Sequence, residues 1–103
     1  MILLTANTPI LLATAPVDFR RGIDGLAALC QHGLHQNPRS GTLYVFINRR
    51  ATMMRILAYE HNGYWLMTKR LSQGRYRGWP RAGEPLSRLH AVQLRQLLAG
   101  TLA

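Results

Sequence analysis

The sequence predicts an α+β fold: a small antiparallel β-meander of three to four strands, with an N-terminal and a C-terminal helix packed on one face. Three observations carry this. Thr42–Arg50, Met54–Tyr59 and Tyr64–Leu71 are runs rich in β-branched and aromatic residues, separated by turn chemistry. Ile23, Leu26, Ala27, Cys30 and Leu34 recur at helical spacing before them, and Leu94, Leu97, Leu98 and Leu102 recur after them. The length, 103 residues and 11.6 kDa, fits one domain over 1–103 with a single modest core.

Taken in order, residues 1–9 read as an irregular lead-in, and Ile10 to Thr14 as a short apolar run that adds a strand before Pro16 stops it. Asp18 stands at an N-cap position for a helix from about Phe19 to Gln36, ended by Asn37-Pro38. Gly22 and Gly25 each weaken that helix by about 1 kcal/mol relative to Ala, so their bare backbone is expected to meet something packed closely. Asn62-Gly63 between two apolar runs is a strong signal for a type I′ hairpin. A two-residue loop there pairs His61 with Tyr64, Tyr59 with Leu66, Leu57 with Thr68 and Arg55 with Arg70. After Pro80, Arg81 to Pro85 reads as a linker, and a second helix is expected from Ser87 or His90 to Ala99, with Gly100 as its C′ residue.

Charge is the strongest functional signal. The net charge is +9, and nine of the thirteen basic residues lie between Arg39 and Arg81, against the single acid Glu60. A sheet with that much uncompensated charge calls for a polyanion, and nucleic acid is the leading one. Arg55 opposite Arg70, with Arg49 and Arg50 before the strand and Arg75 and Arg77 after its partner, converge on one basic edge. With Lys69 they are the candidate phosphate contacts. The alternative is a solvated edge whose positive charges discourage strand pairing. Tyr64 and Tyr76 are candidate base-stacking residues, while Phe46, Trp65 and Trp79 are assigned to the core.

Other chemistry finds little support. Cys30, His32 and His35 lack a fourth ligand, and Cys30 falls in the apolar stripe, so no metal or cofactor is expected. Two-metal nuclease or strand-transfer chemistry needs clustered carboxylates, and the chain has only Asp18, Asp24, Glu60 and Glu84. One cysteine excludes an intrachain disulfide. The N-terminus lacks a positive n-region and no stretch spans a bilayer, so a cytoplasmic, non-membrane protein is expected, and the scattered carboxylates make the expectation a non-enzymatic one.

Four ordered motifs then point to a family. Asp18-Phe19-Arg20-Arg21-Gly22-Ile23-Asp24-Gly25-Leu26 resembles an Asp-x-Arg-(Lys/Arg)-Gly-x-Asp-Gly-Leu opening. Ser40 to Arg50 resembles Ser-Gly-x-Leu-(Phe/Tyr)-Val-Phe-x-Asn-Arg-Arg. Lys69-Arg70-Leu71 with Gly74-Arg75-Tyr76 and Trp79-Pro80 resembles Lys-Arg-Leu-x-x-Gly-Arg-Phe…Trp-Pro, and Gln93-Leu94 with Leu97-Leu98-x-Gly100 its closing helix. The chain is thereby similar to the second-reading-frame accessory proteins, called TnpB, of the IS-sixty-six group of bacterial insertion sequences. The resemblance implies a helper in transposition, working with a larger transposase that carries the acidic chemistry. Two positions depart from the pattern: Tyr59-Glu60-His61-Asn62 replaces a Trp-Asp, and Ser72 replaces a Glu.

The expected function is a non-catalytic factor that binds DNA at the element ends, beside a transposase and a sibling accessory subunit. The alternative is a protein–protein adaptor for the transposase complex without DNA binding, docking through the helix around Gly22 and Gly25.

Overall fold

The computed structural model describes residues 4–80 and 83–100. Arg81, expected in the linker, and Leu102, expected on the second helix, lie outside them, as does the start of the lead-in. The elements are β1 (Ile10–Ala13), α1 (Ile23–Ala28), continued by a π-helical turn over Leu29–Gly33, β2 (Leu43–Ile47), β3 (Met53–Glu60), β4 (Gly63–Arg70), β5 (Leu86–Leu89) and α2 (Ala91–Ala99). They form one five-stranded sheet in the order β4-β3-β2-β1-β5. The α+β class and the antiparallel β2-β3-β4 meander are as expected. The sheet as a whole is mixed, however, because β1 runs parallel to β2 and antiparallel to β5. A parallel pair needs a long crossover, and α1 supplies it.

The two helices lie on opposite faces, which corrects the expectation that both cover one. Side chains alternate along a strand, so neighbours in β2 point to opposite sides. Tyr44 and Phe46 pack with Leu26, Cys30 and Leu57 under α1. Leu43, Val45 and Ile47 pack with Ile10, Leu12, Met54, Ile56, Leu94 and Leu97 under α2. Every residue of β2 is therefore buried, and the sheet offers no open central face on which a ligand meets Tyr, Trp and Arg side chains.

Local detail at the first helix also differs from the sequence reading. The N-cap is Gly22, not Asp18. Asp18 instead closes a turn, its Oδ1 accepting from Arg20 N at 2.9 Å, and pairs with the Arg20 guanidinium. Among the described residues the two helix glycines meet no close-packed partner from elsewhere in the fold: a Cβ on Gly22 meets open space, and the nearest atoms to one on Gly25 belong to the Arg21 side chain. Cys30 is fully buried, and burial pushes its thiol up to about 11, which makes it an inert core residue.

The hairpin turns one residue earlier than Asn62-Gly63 suggests. His61 and Asn62 form the loop, with His61 at φ 59°, and Gly63 already belongs to β4. The register pairs Tyr59 with Tyr64, Leu57 with Leu66, Arg55 with Thr68 and Met53 with Arg70, so Arg55 and Arg70 are not opposed. This register brings the Tyr59 and Tyr64 rings edge to face at 5.0 Å and stacks Leu57 on Leu66. Beyond the expected linker, Leu86–Leu89 is a strand rather than helix. It leads through the His90 cap to α2, which ends at Gly100 with φ 77°.

Candidate nucleic-acid interface

The basic residues gather at one end of the sheet rather than on a face. That end is where β1 and β2 finish, β3 begins and β4 finishes. Its centre is the β2–β3 turn. Asn48 holds the turn closed: its Oδ1 accepts from Thr52 N and Met53 N at 2.9 and 3.1 Å, and its Nδ2 donates to Thr52 Oγ1 at 3.0 Å. Ala51 takes φ 57° and donates its N–H to Asn48 O at 3.0 Å. Arg49 and Arg50 are left at the exposed tip of a turn whose shape the Asn48 side chain fixes.

A second segment docks beside this turn. Leu71 N donates to Thr52 O at 2.9 Å and Tyr76 N to Ala51 O at 2.7 Å, which draws the chain after β4 back across the start of β3. Tyr76 is buried at 6% exposure, with Arg75 and Arg77 exposed on either side of it. The buried ring thus anchors a loop that presents two guanidinium groups near Arg49 and Arg50. Arg70, exposed at the end of β4, adds a fifth. Among the described residues, none of these five has a hydrogen-bond or ion-pair partner.

Tyr76 is a core residue, which removes it as a stacking platform. Among the described residues its buried hydroxyl has no hydrogen-bond partner, and burial pushes its ionisation upward. An unsatisfied buried hydroxyl costs roughly 1–3 kcal/mol. Tyr76→Phe is therefore expected to stabilise the protein by about 1 kcal/mol, read as a raised urea midpoint at unchanged slope. A lowered midpoint would mean that the hydroxyl has a partner.

The third wall is the loop that leads into α1, tied down by Val17 N donating to Ile47 O at 2.9 Å. Asp18, Phe19 and Arg20 face Asn48, Arg49 and Arg50 across a groove of about 460 Å³, so two separate sequence motifs meet. The Asp18–Arg20 pair reaches 2.6 Å, and those bonds hold the Asp18 carboxyl down to about 2. An acid at the rim is in this way neutralised by its own neighbour.

Two of the seven candidate phosphate contacts are engaged inside the fold. Arg55 Nη1 donates to Phe19 O at 2.7 Å and Arg21 O at 2.9 Å, its Nε to Thr68 Oγ1 at 3.0 Å, and its guanidinium lies 4.7 Å from the Phe19 ring centre. Lys69 Nζ donates to Leu98 O at 2.6 Å, where a cation suits the C-terminal end of α2. Apart from the Thr68 hydroxyl, these acceptors are backbone carbonyls, and the sequence carries no sign of them. The Asn48 clamp was missed for the same reason, although an Asn before two arginines between strands is a turn signal.

Tyr64 is half-buried at the far end of the sheet, six residues up β4 from Arg70 and so roughly 20 Å away. There it lines a groove of about 820 Å³ with Asp24, His32, His35 and Arg39. Asp24, a motif position of the first helix, thus stands apart from the arginine end, while the neighbouring motif glycine, Gly25, lies against the Arg21 side chain. Among the described residues, no three His, Cys, Asp or Glu side chains are placed to hold a metal ion. No helix there is long and apolar enough to cross a membrane.

Comparison with known proteins gives the chain relatives. A family model described as IS66 Orf2-like protein matches residues 8–102. The uncharacterised protein y4hO of Sinorhizobium fredii is 35% identical over 94 residues, spanning 91% of this chain and 81% of that protein. The uncharacterised protein y4jC of the same organism is 40% identical over 67 residues, which are 65% of this chain and 57% of that protein. No solved structure matches.

Proposed function

The chain belongs to the IS66 Orf2-like family, and from that premise we propose that it is a non-catalytic accessory factor of insertion-sequence transposition that grips DNA with the arginine end of its sheet. The observation that carries this reading is the set Arg49, Arg50, Arg70, Arg75 and Arg77, whose side chains are exposed and, among the described residues, without internal partners, on two segments hydrogen-bonded to each other. Guanidinium groups held on fixed turns lose little freedom when they meet phosphate oxygens, and their planar fork suits that geometry. Arg55 and Lys69, on opposite faces of the sheet, spend their donors within the fold rather than on the ligand.

The partners in this reading are DNA at the element ends, a separate transposase that carries the carboxylate chemistry, and a sibling accessory subunit. Electrophoretic shifts with element-end and random DNA across a salt series test it. If each of the five arginines neutralises one duplex phosphate, the log–log salt slope is about −4.5. A flat salt response would remove DNA binding, and equal affinity for both DNAs would assign the contacts to the backbone alone.

A further inference from the structure

The two edges of the sheet are built differently. β5 is four residues long, follows Pro85 and carries Arg88 in its middle, which is how sheets discourage pairing at an edge. β4 is eight residues long, has no proline, and has its charged residues only at its end, Lys69 and Arg70. Its middle, Tyr64 to Met67, is apolar. Trp65 and Met67, on the same side of the strand, are 48% and 39% exposed.

The hairpin fixes which backbone groups of β4 are free. Glu60 and Gly63 close a two-residue loop and so exchange both ladder bonds, after which bonded and non-bonded pairs alternate. The bond from Leu71 N to Thr52 O lies on that alternation. Gly63, Trp65, Met67 and Lys69 therefore spend their N–H and C=O on β3. Tyr64, Leu66, Thr68 and Arg70 aim theirs outward along the open edge.

We propose that a second copy of this chain pairs antiparallel along this edge, β4 to β4 with Leu66 on the two-fold axis, to give a continuous ten-stranded sheet. A two-fold axis normal to the sheet keeps each side chain on its own face, so residues of equal parity pair. Leu66 then exchanges hydrogen bonds with Leu66 across the axis, and Tyr64 with Thr68 form the flanking hydrogen-bonded pairs. Trp65 then meets Met67 of the other copy twice, as a close non-bonded pair with sulfur against an aromatic ring. Both large exposed apolar side chains of the strand are covered by one operation. The charges also fit: Lys69 falls opposite Gly63 and Arg70 opposite Asn62, so no like charges face each other.

Sedimentation equilibrium on the DNA-free protein, with cysteine cross-linking, decides the matter. The expected mass is twice 11.6 kDa, and Trp65→Lys with Met67→Lys should return it to that of one chain while circular dichroism shows the fold retained. Leu66→Cys should form an intermolecular disulfide on mild oxidation, because paired Cα atoms lie within disulfide range, whereas Thr68→Cys should not. Cys30 is buried and gives no background. A monomer at every concentration, a dimer indifferent to the two lysines, or a dimer that Leu66→Cys fails to cross-link would each overturn the proposal.

Discussion

Replacing Arg49 and Arg50 together by Ala is expected to weaken DNA binding by roughly 10- to 100-fold at moderate salt. It should also make the salt slope shallower by about two units. At about 1.4 kcal/mol per tenfold, that weakening is roughly 0.7–1.4 kcal/mol for each of two solvent-exposed charge contacts. Each lost phosphate contact removes about 0.9 from the duplex slope. Stability should hardly change, because both side chains are exposed and the turn is kept by Asn48, Thr52 and Met53. Filter binding across salt, with a thermal melt of the variant, reads both quantities. A slope equal to that of the unaltered protein would take this turn out of the interface, whatever the drop in affinity.

Arg55→Met is expected to show the converse pattern, with a loss of about 2–4 kcal/mol in folding free energy and no change in salt slope for the protein that remains folded. The guanidinium satisfies two carbonyls and a hydroxyl and lies against an aromatic ring. Hydrogen bonds to charged groups contribute about 1.5–3 kcal/mol, and carbonyls left without a donor add a penalty. At this chain length such a loss lowers the melting temperature by roughly 10 °C or more. Arg55→Lys should rescue little, since an ammonium lacks the planar fork that spans β4 and the loop before α1. A variant within about 0.5 kcal/mol of the parent would mean that Arg55 is free to meet a ligand.

Arg49 and Arg50 were legible in the sequence because turn position and exposure go together. Arg55 looked identical to them in composition, yet its fate was decided by where two backbone oxygens fall, which no residue letter encodes. The two-sided layering does leave a mark in the sequence. Leu43 to Ile47 is an unbroken apolar run, the mark of a strand covered on both faces, whereas one helix-covered face predicts alternation. The hairpin shows local and cross-strand preferences in competition. Asn-Gly favours its own turn, but pairing Tyr59 with Tyr64 and Leu57 with Leu66 outweighs it, and His61 accepts a left-handed backbone as the cost. β5 escaped notice because four residues are too few to show a period.

The place of β1 inside the sheet, between β2 and β5, has a consequence for how the protein is made. This strand comes early in the chain, but its two neighbours are β2, reached only after the helical crossover, and β5, which is synthesised near the end. A nascent chain can therefore zip the β2-β3-β4 meander while still on the ribosome, with β1 lacking one partner until Leu86 to Leu89 emerge. Long-range closure of that kind is slow. For that interval the apolar Ile10–Ala13 segment is the part of the growing polypeptide most in need of chaperone shelter.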